Sequence, residues 1–169
     1  MKSKDALHEL QAITARSFYH YGKLIHYPNK HVKGSKRNLW RIIHAETAKT
    51  GWRIAYLVLR DKSIARLEAH PYSAETFEPL SGRALFFVSQ TQNLKDIVCF
   101  VLDRPVLLFK GIWHGLIALD KEAEIKITEN DRITCRYWPL GFRIQNLHDL
   151  DKRRLGLSRL DEMRGATQE

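Results

Sequence analysis

The side chains of this chain with the types and spacing for chemistry lie in two short segments. One is His70-Pro-Tyr-Ser-Ala-Glu75, followed by Gly82; the other is Gly111-Ile-Trp113-His114. A neutral imidazole is both a proton acceptor and a metal ligand, and a carboxylate in apolar surroundings becomes a base useful near neutral pH. Two histidines and a carboxylate converging from different strands can therefore move protons or hold a divalent cation. His70, Glu75 and His114 are the candidate ligands for such a cation, of the zinc, manganese or iron type. Glu68 lies two positions before His70. On a strand, residues two apart share a face, so Glu68 and His70 are expected side by side, with Arg66 on the same face. Glu68, His70 and His114 are the candidate catalytic groups. Arg66 and Lys110 are the candidate cations for a substrate carboxylate, and Trp113 is a candidate pocket wall. Glu75 lies five positions after His70 in a polar stretch, where a solvent-facing carboxylate is an equal alternative to a ligand.

Strands must position these residues. Trp52–Leu59 and Ile64–His70 read as strands, as do Arg83–Ser89, Asp96–Leu102 and Val106–Phe109. Leu116–Leu119, Ala123–Thr128 and Arg132–Trp138 complete the set. They are short, β-branched or aromatic, and separated by turn residues such as Asn93 and Asp103-Arg104-Pro105. This is the pattern of an all-β barrel or sandwich. Thr14 can cap a short helix running to Tyr21, with Gly22 ending it. Residues 1–12 read as a leader and 29–38 as a cationic loop. From 146 the texture changes: Leu147, Leu150, Leu157, Leu160 and Met163 recur near helical spacing. The expected division is a β-barrel domain over 1–145 and a C-terminal helical extension and tail over 146–169.

The 169 residues suffice for one domain with a real core, and 44% hydrophobic with 28% charged content is ordinary for a globular protein. No apolar run approaches the roughly 20 residues of a membrane helix, and the N-terminus lacks a signal-peptide pattern. Cys99 and Cys135 lie in apolar runs and read as reduced thiols of a cytoplasmic protein. The net charge of +9 is spread along the chain rather than gathered in a motif. A nucleic-acid partner is therefore not the expectation. Serine-nucleophile motifs, phosphate-cradling glycine loops and paired-cysteine zinc signatures are absent from the sequence.

Taken in order, several motifs resemble the ureidoglycolate lyase family of the cupin superfamily. They are Ile13-Thr-Ala-Arg-Ser-Phe18-Tyr-His-Tyr21-Gly22-Lys-Leu-Ile25, Leu67-Glu68-Ala-His70-Pro71, Thr76-Phe77-Glu-Pro79-Leu80-Ser-Gly82 and Gly111-Ile-Trp113-His114. The resemblance implies a cupin-like (RmlC-like) β-barrel and a homodimer. It also implies cleavage of ureidoglycolate, a small carboxylate substrate, to glyoxylate and urea. Gly115-Leu116 stands where family members carry a second histidine and a proline, Phe109-Lys110 where they carry His-Arg, and Glu75 where a glutamine is common. A divergent cupin that binds a small anionic metabolite without catalysis is the alternative reading.

Overall fold

The computed structural model describes residues 10–25 and 50–146. After the helix α1 (Ala15–Phe18) come ten strands: β1 (Gly22–Leu24), β2 (Trp52–Leu59), β3 (Ile64–Ala69), β4 (Glu75–Ser81), β5 (Ala84–Ser89), β6 (Val98–Val101), β7 (Val106–Leu108), β8 (Trp113–Ala118), β9 (Ala123–Asn130) and β10 (Arg136–Ile144). They form two five-stranded sheets, ordered β1-β7-β4-β9-β2 and β10-β3-β8-β5-β6. All the strand pairs are antiparallel. Without β1 and β10 the orders are 2-9-4-7 and 3-8-5-6. That interleaving of two antiparallel sheets is a jelly roll, the architecture of cupins. The all-β, cupin-like expectation describes the molecule.

Alternation along the strands sends one side-chain set between the sheets. The interior holds Phe18, Phe77, Phe86, Phe100, Val106, Leu108 and Ile125, all at most 2% exposed. Phe77 and Phe86 have ring centroids 4.8 Å apart. A second cluster lies on the far face of the β3–β8–β5 sheet, where Leu67, Phe87 and Ile117 meet Leu140 and Ile144 of β10. Every residue of β5 is buried, as its unbroken apolar run Ala84–Val88 requires of a strand covered on both faces.

Four local expectations are corrected. The helix is a single turn, closed at its start by a Thr14–Ser17 capping box, and it ends at Phe18. Gly22 does not end it but begins β1, against β7. A Cβ at Gly22 would lie 1.7 Å from the Leu107 carbonyl oxygen, so the close approach requires glycine. Glu75–Ser81 is a strand despite Pro79, which sits where the β4–β9 register shifts and no ladder donor is needed. The last strand starts at Arg136 rather than Arg132 and runs on to Ile144. Residues 132–135 are left as a loop. Residues 1–9 of the leader expected over 1–12, the cationic loop over 29–38 and the helical extension beyond Asn146, with its leucines, lie outside the described residues. Among the described residues, no helix is long and apolar enough to cross a membrane.

Candidate functional site

Four side chains from three strands meet between the sheets. Glu68 and His70 come from β3 and the residue following it. Glu75 opens β4, and His114 is the second residue of β8. Glu68 and His114 are direct partners in the β3–β8 pairing, and a cross-strand pair has its Cβ atoms about 5 Å apart. His114 Nε2 is 3.7 Å from Glu68 Oε1 and 3.8 Å from Glu75 Oε2. His70 Nε2 is 3.0 Å from Glu75 Oε1. The two imidazole centroids are 5.4 Å apart.

Burial differs sharply within the set. His70, Glu75 and His114 are all buried, whereas the Glu68 side chain is 43% exposed. Desolvation, aided by the charges of Glu129 and Glu68, pushes the Glu75 pKa up to about 8, with Arg53 opposing. Glu129 is itself fixed there by Arg53, whose Nε and Nη2 donate to Oε1 at 2.9 and 2.7 Å. Desolvation likewise lowers the His114 pKa to about 4, with His70 adding to the effect. At neutral pH, Glu75 therefore holds its proton and His114 is uncharged, so the 3.7 and 3.8 Å contacts are not ion pairs. The His114 Nδ1–H donates to the Ile112 carbonyl at 3.0 Å. That bond fixes the tautomer and turns the Nε2 lone pair toward the two carboxylates.

A cavity of about 510 Å³ opens between β2 and β9 on one side and β3 and β8 on the other. Leu57, Leu59, Phe77 and Ile127 make its apolar wall, and Arg66, Glu68, Glu75 and His114 its polar one. Arg66 lies with its guanidinium carbon 4.3 Å above the Tyr137 ring, which steadies it by a cation–π contact. His70 is not on the cavity wall; it stands behind Glu75. Trp113 points to the opposite face of β8 and packs on Trp138, ring centroids 6.1 Å apart. Lys110 is exposed in the turn before β8 and does not line the cavity. Parity along β8 separates Trp113 from His114; the strand expected from the sequence began only at Leu116 and so left the two unseparated.

The residues fit a divalent cation. One donor atom from each of His70, Glu75 and His114 lies within 4.8 Å of the others. A cation that displaced the Glu75 proton would find a carboxylate oxygen and the His114 Nε2 lone pair facing each other, both of them ligand atoms for a divalent metal. Cys135, expected from the sequence to be a buried reduced thiol within a strand, lies instead in the loop before β10. It is half-buried and places Sγ 3.5 Å from His70 Nδ1. Its position follows from the loop over 132–135, whose Thr134 carbonyl is 3.4 Å from the same nitrogen.

No protein-family model and no curated protein matches the sequence. Solved structures do show similarity. Oxalate decarboxylase from Bacillus subtilis aligns at 14% identity with a TM-score of 0.42, over 54% of this chain and 24% of its own. The fold is cupin-type. That statement rests on the strand order described above. A 3,4-ketoisomerase from Helicobacter canadensis aligns at 14% identity and TM-score 0.40, over 60% of this chain and 73% of its own. The TDP-quinovose 3,4-ketoisomerase of Campylobacter jejuni aligns at 15% and 0.39, over 59% and 74%. The cupin-type chain described here spans about a quarter of the length of the decarboxylase.

Proposed function

We propose that this protein is a cupin-type lyase acting on a small hydroxylated carboxylate, with ureidoglycolate as the substrate. The observation that carries the reading is the opposite displacement of Glu75 and His114 within one cavity. A pair whose environments push their pKa values apart supplies an acid and a proton acceptor at the same pH.

Ureidoglycolate is a hemiaminal, and its cleavage needs one proton removed and one delivered. Arg66 holds the substrate carboxylate with its planar fork. Glu68, on the cavity wall and partly hydrated, takes the hydroxyl proton. The carbonyl of glyoxylate forms, the carbon–nitrogen bond breaks, and its electron pair goes to the urea nitrogen. Glu75, protonated at neutral pH, donates the proton that nitrogen needs. The neutral Nε2 of His114, between the two carboxylates, returns the proton from Glu68 to Glu75 and resets the site. His70 positions Glu75 through their 3.0 Å contact. If a divalent cation binds, His70, Glu75 and His114 would hold it, and it would supply Lewis-acid polarisation of a substrate oxygen.

The alternative is a cupin that binds a small anion without turnover. It is favoured by Leu116, which lines the cavity as an apolar wall beside Gly115. The deciding experiment is incubation of the purified protein with ureidoglycolate, with chelator and with added divalent metal. Glyoxylate release supports the lyase. Binding without release in either condition supports the second reading.

A further inference from the structure

The geometry points to a second, thiophilic cation site made by Cys135, His70 and Glu68 at the edge of the β3–β10 pairing, of the zinc class. One donor atom from each of the three lies within 4.8 Å of the others. The Cys135 Sγ to His70 Nδ1 distance is 3.5 Å. A tetrahedral zinc with bonds of about 2.3 Å to sulfur and about 2.05 Å to nitrogen spaces those two atoms about 3.5 Å apart. Sγ and Nδ1 face each other across that gap. A cation placed in it would bind Cys135 as thiolate, with the thiol proton leaving to solvent. The ring is already braced from behind. Nε2, on the other side of the ring, stands 3.0 Å from Glu75 Oε1, a contact behind the ligand that holds the imidazole in place. Glu68, with its side chain 43% exposed, can turn a carboxylate oxygen to the third position. The fourth stays open to water, as in zinc sites with three protein ligands.

This site is separate from the His70–Glu75–His114 set, but it shares one imidazole with it. The inner set uses His70 through Nε2, with Nδ1–H turned to the Thr134 carbonyl at 3.4 Å. The outer set uses Nδ1, with Nε2–H turned to Glu75. The two tautomers exclude each other, so a thiophilic cation at Cys135 withdraws His70 from the inner set and ties up Glu68. Zinc would then oppose whatever the cavity does.

Cobalt distinguishes the two sites without reference to any activity. Chelator-stripped protein, reduced with a phosphine, is titrated with Co²⁺ alone. Thiolate ligation gives a thiolate-to-cobalt charge-transfer band in the near ultraviolet, whereas the inner set, having no sulfur, gives only d–d bands. The expected result is a charge-transfer band that saturates at about one equivalent, as one three-ligand site requires. It should be bleached by Zn²⁺, lost in Cys135→Ser and kept in Cys99→Ser. A spectrum of d–d bands alone, no cobalt binding, or a band that survives Cys135→Ser would overturn the proposal. Should Cys135→Ser not fold, alkylation of Cys135 in the unmutated protein decides. Saturating Zn²⁺ should slow it on the order of tenfold, and an unchanged rate would overturn the site.

Discussion

Glu75 and His114 face each other with Oε2 and Nε2 3.8 Å apart, and the same burial raises the pKa of one to about 8 and lowers that of the other to about 4. Between those values the pair is electrically neutral, with its proton on the carboxyl. In the chelated protein, turnover should therefore fall above about pH 8, as Glu75 loses its proton, and below about pH 4, as His114 gains one. A divalent cation in the inner set would hold Glu75 ionised and remove this acid, so turnover by this route should be low below pH 8 as well until chelator is added. The pH dependence of kcat with and without chelator measures this, and a chelated profile flat through pH 9 would exclude Glu75 as the acid.

The same carboxyl should make stability fall with pH. Folded Glu75 keeps its proton to about pH 8, whereas an unfolded glutamate loses it near 4.5. In that window the native state binds more protons, so the unfolding free energy drops as pH rises. His114 works the other way, its stability present above about pH 6.5 and lost as pH falls toward 4. Glu75→Gln removes the first contribution alone. At pH 7 it should be the more stable protein by on the order of 3 kcal/mol, about 1.4 kcal/mol for each pH unit above 4.5. At pH 4.5 the gap should close. Urea midpoints at the two pH values test it, and a pH-independent difference would contradict the assignment.

His114→Ala should reduce turnover by about 10² to 10⁴, the range of a lost proton-transfer group. His70→Ala should also cost orders of magnitude, through a misplaced Glu75. Because both act on the same carboxyl, the double variant should lose little more than the worse single one. Multiplicative losses in the double variant would mean that the histidines act independently.

Arg66→Ala should raise KM for a carboxylate substrate about 10- to 100-fold, the value of a charge-assisted hydrogen bond of about 1.5–3 kcal/mol, with kcat less affected. Arg66→Lys should recover part of the loss, since a point charge replaces a bidentate fork. Equal losses in kcat and KM would move Arg66 from substrate binding to the chemical step.

Gly22→Ala should cost about 1–3 kcal/mol, because its Cβ meets the Leu107 carbonyl and the Phe18 ring edge. Thermal unfolding measures it. An unchanged midpoint would show that β1 can leave the sheet without penalty.

The sequence by itself determined which residues share a strand face. Arg66, Glu68 and His70 are spaced by two, so any regular strand through them puts all three on one side, and Leu67 and Ala69 on the other. The same parity separates His114 from Trp113 only once β8 is seen to begin at Trp113 rather than at Leu116, where the strand expected from the sequence begins. The sequence also determined that the fold is all-β, since the β-branched and aromatic runs are short and divided by turn residues. Only the tertiary structure decided the rest. Glu75 reads as solvent-facing or buried with equal ease, because its neighbours are polar; it is buried because β4 lies between β7 and β9 with the other sheet closing over it. His114 meets Glu68 because the jelly-roll order sets β8 against β3. Cys135 meets His70 across 65 positions because the loop ahead of β10 folds back over the end of β3. Local periodicity fixes the face a side chain takes, since it follows from backbone geometry. Which distant strand stands opposite is fixed by the burial of both sheets at once, and no short stretch of sequence carries that.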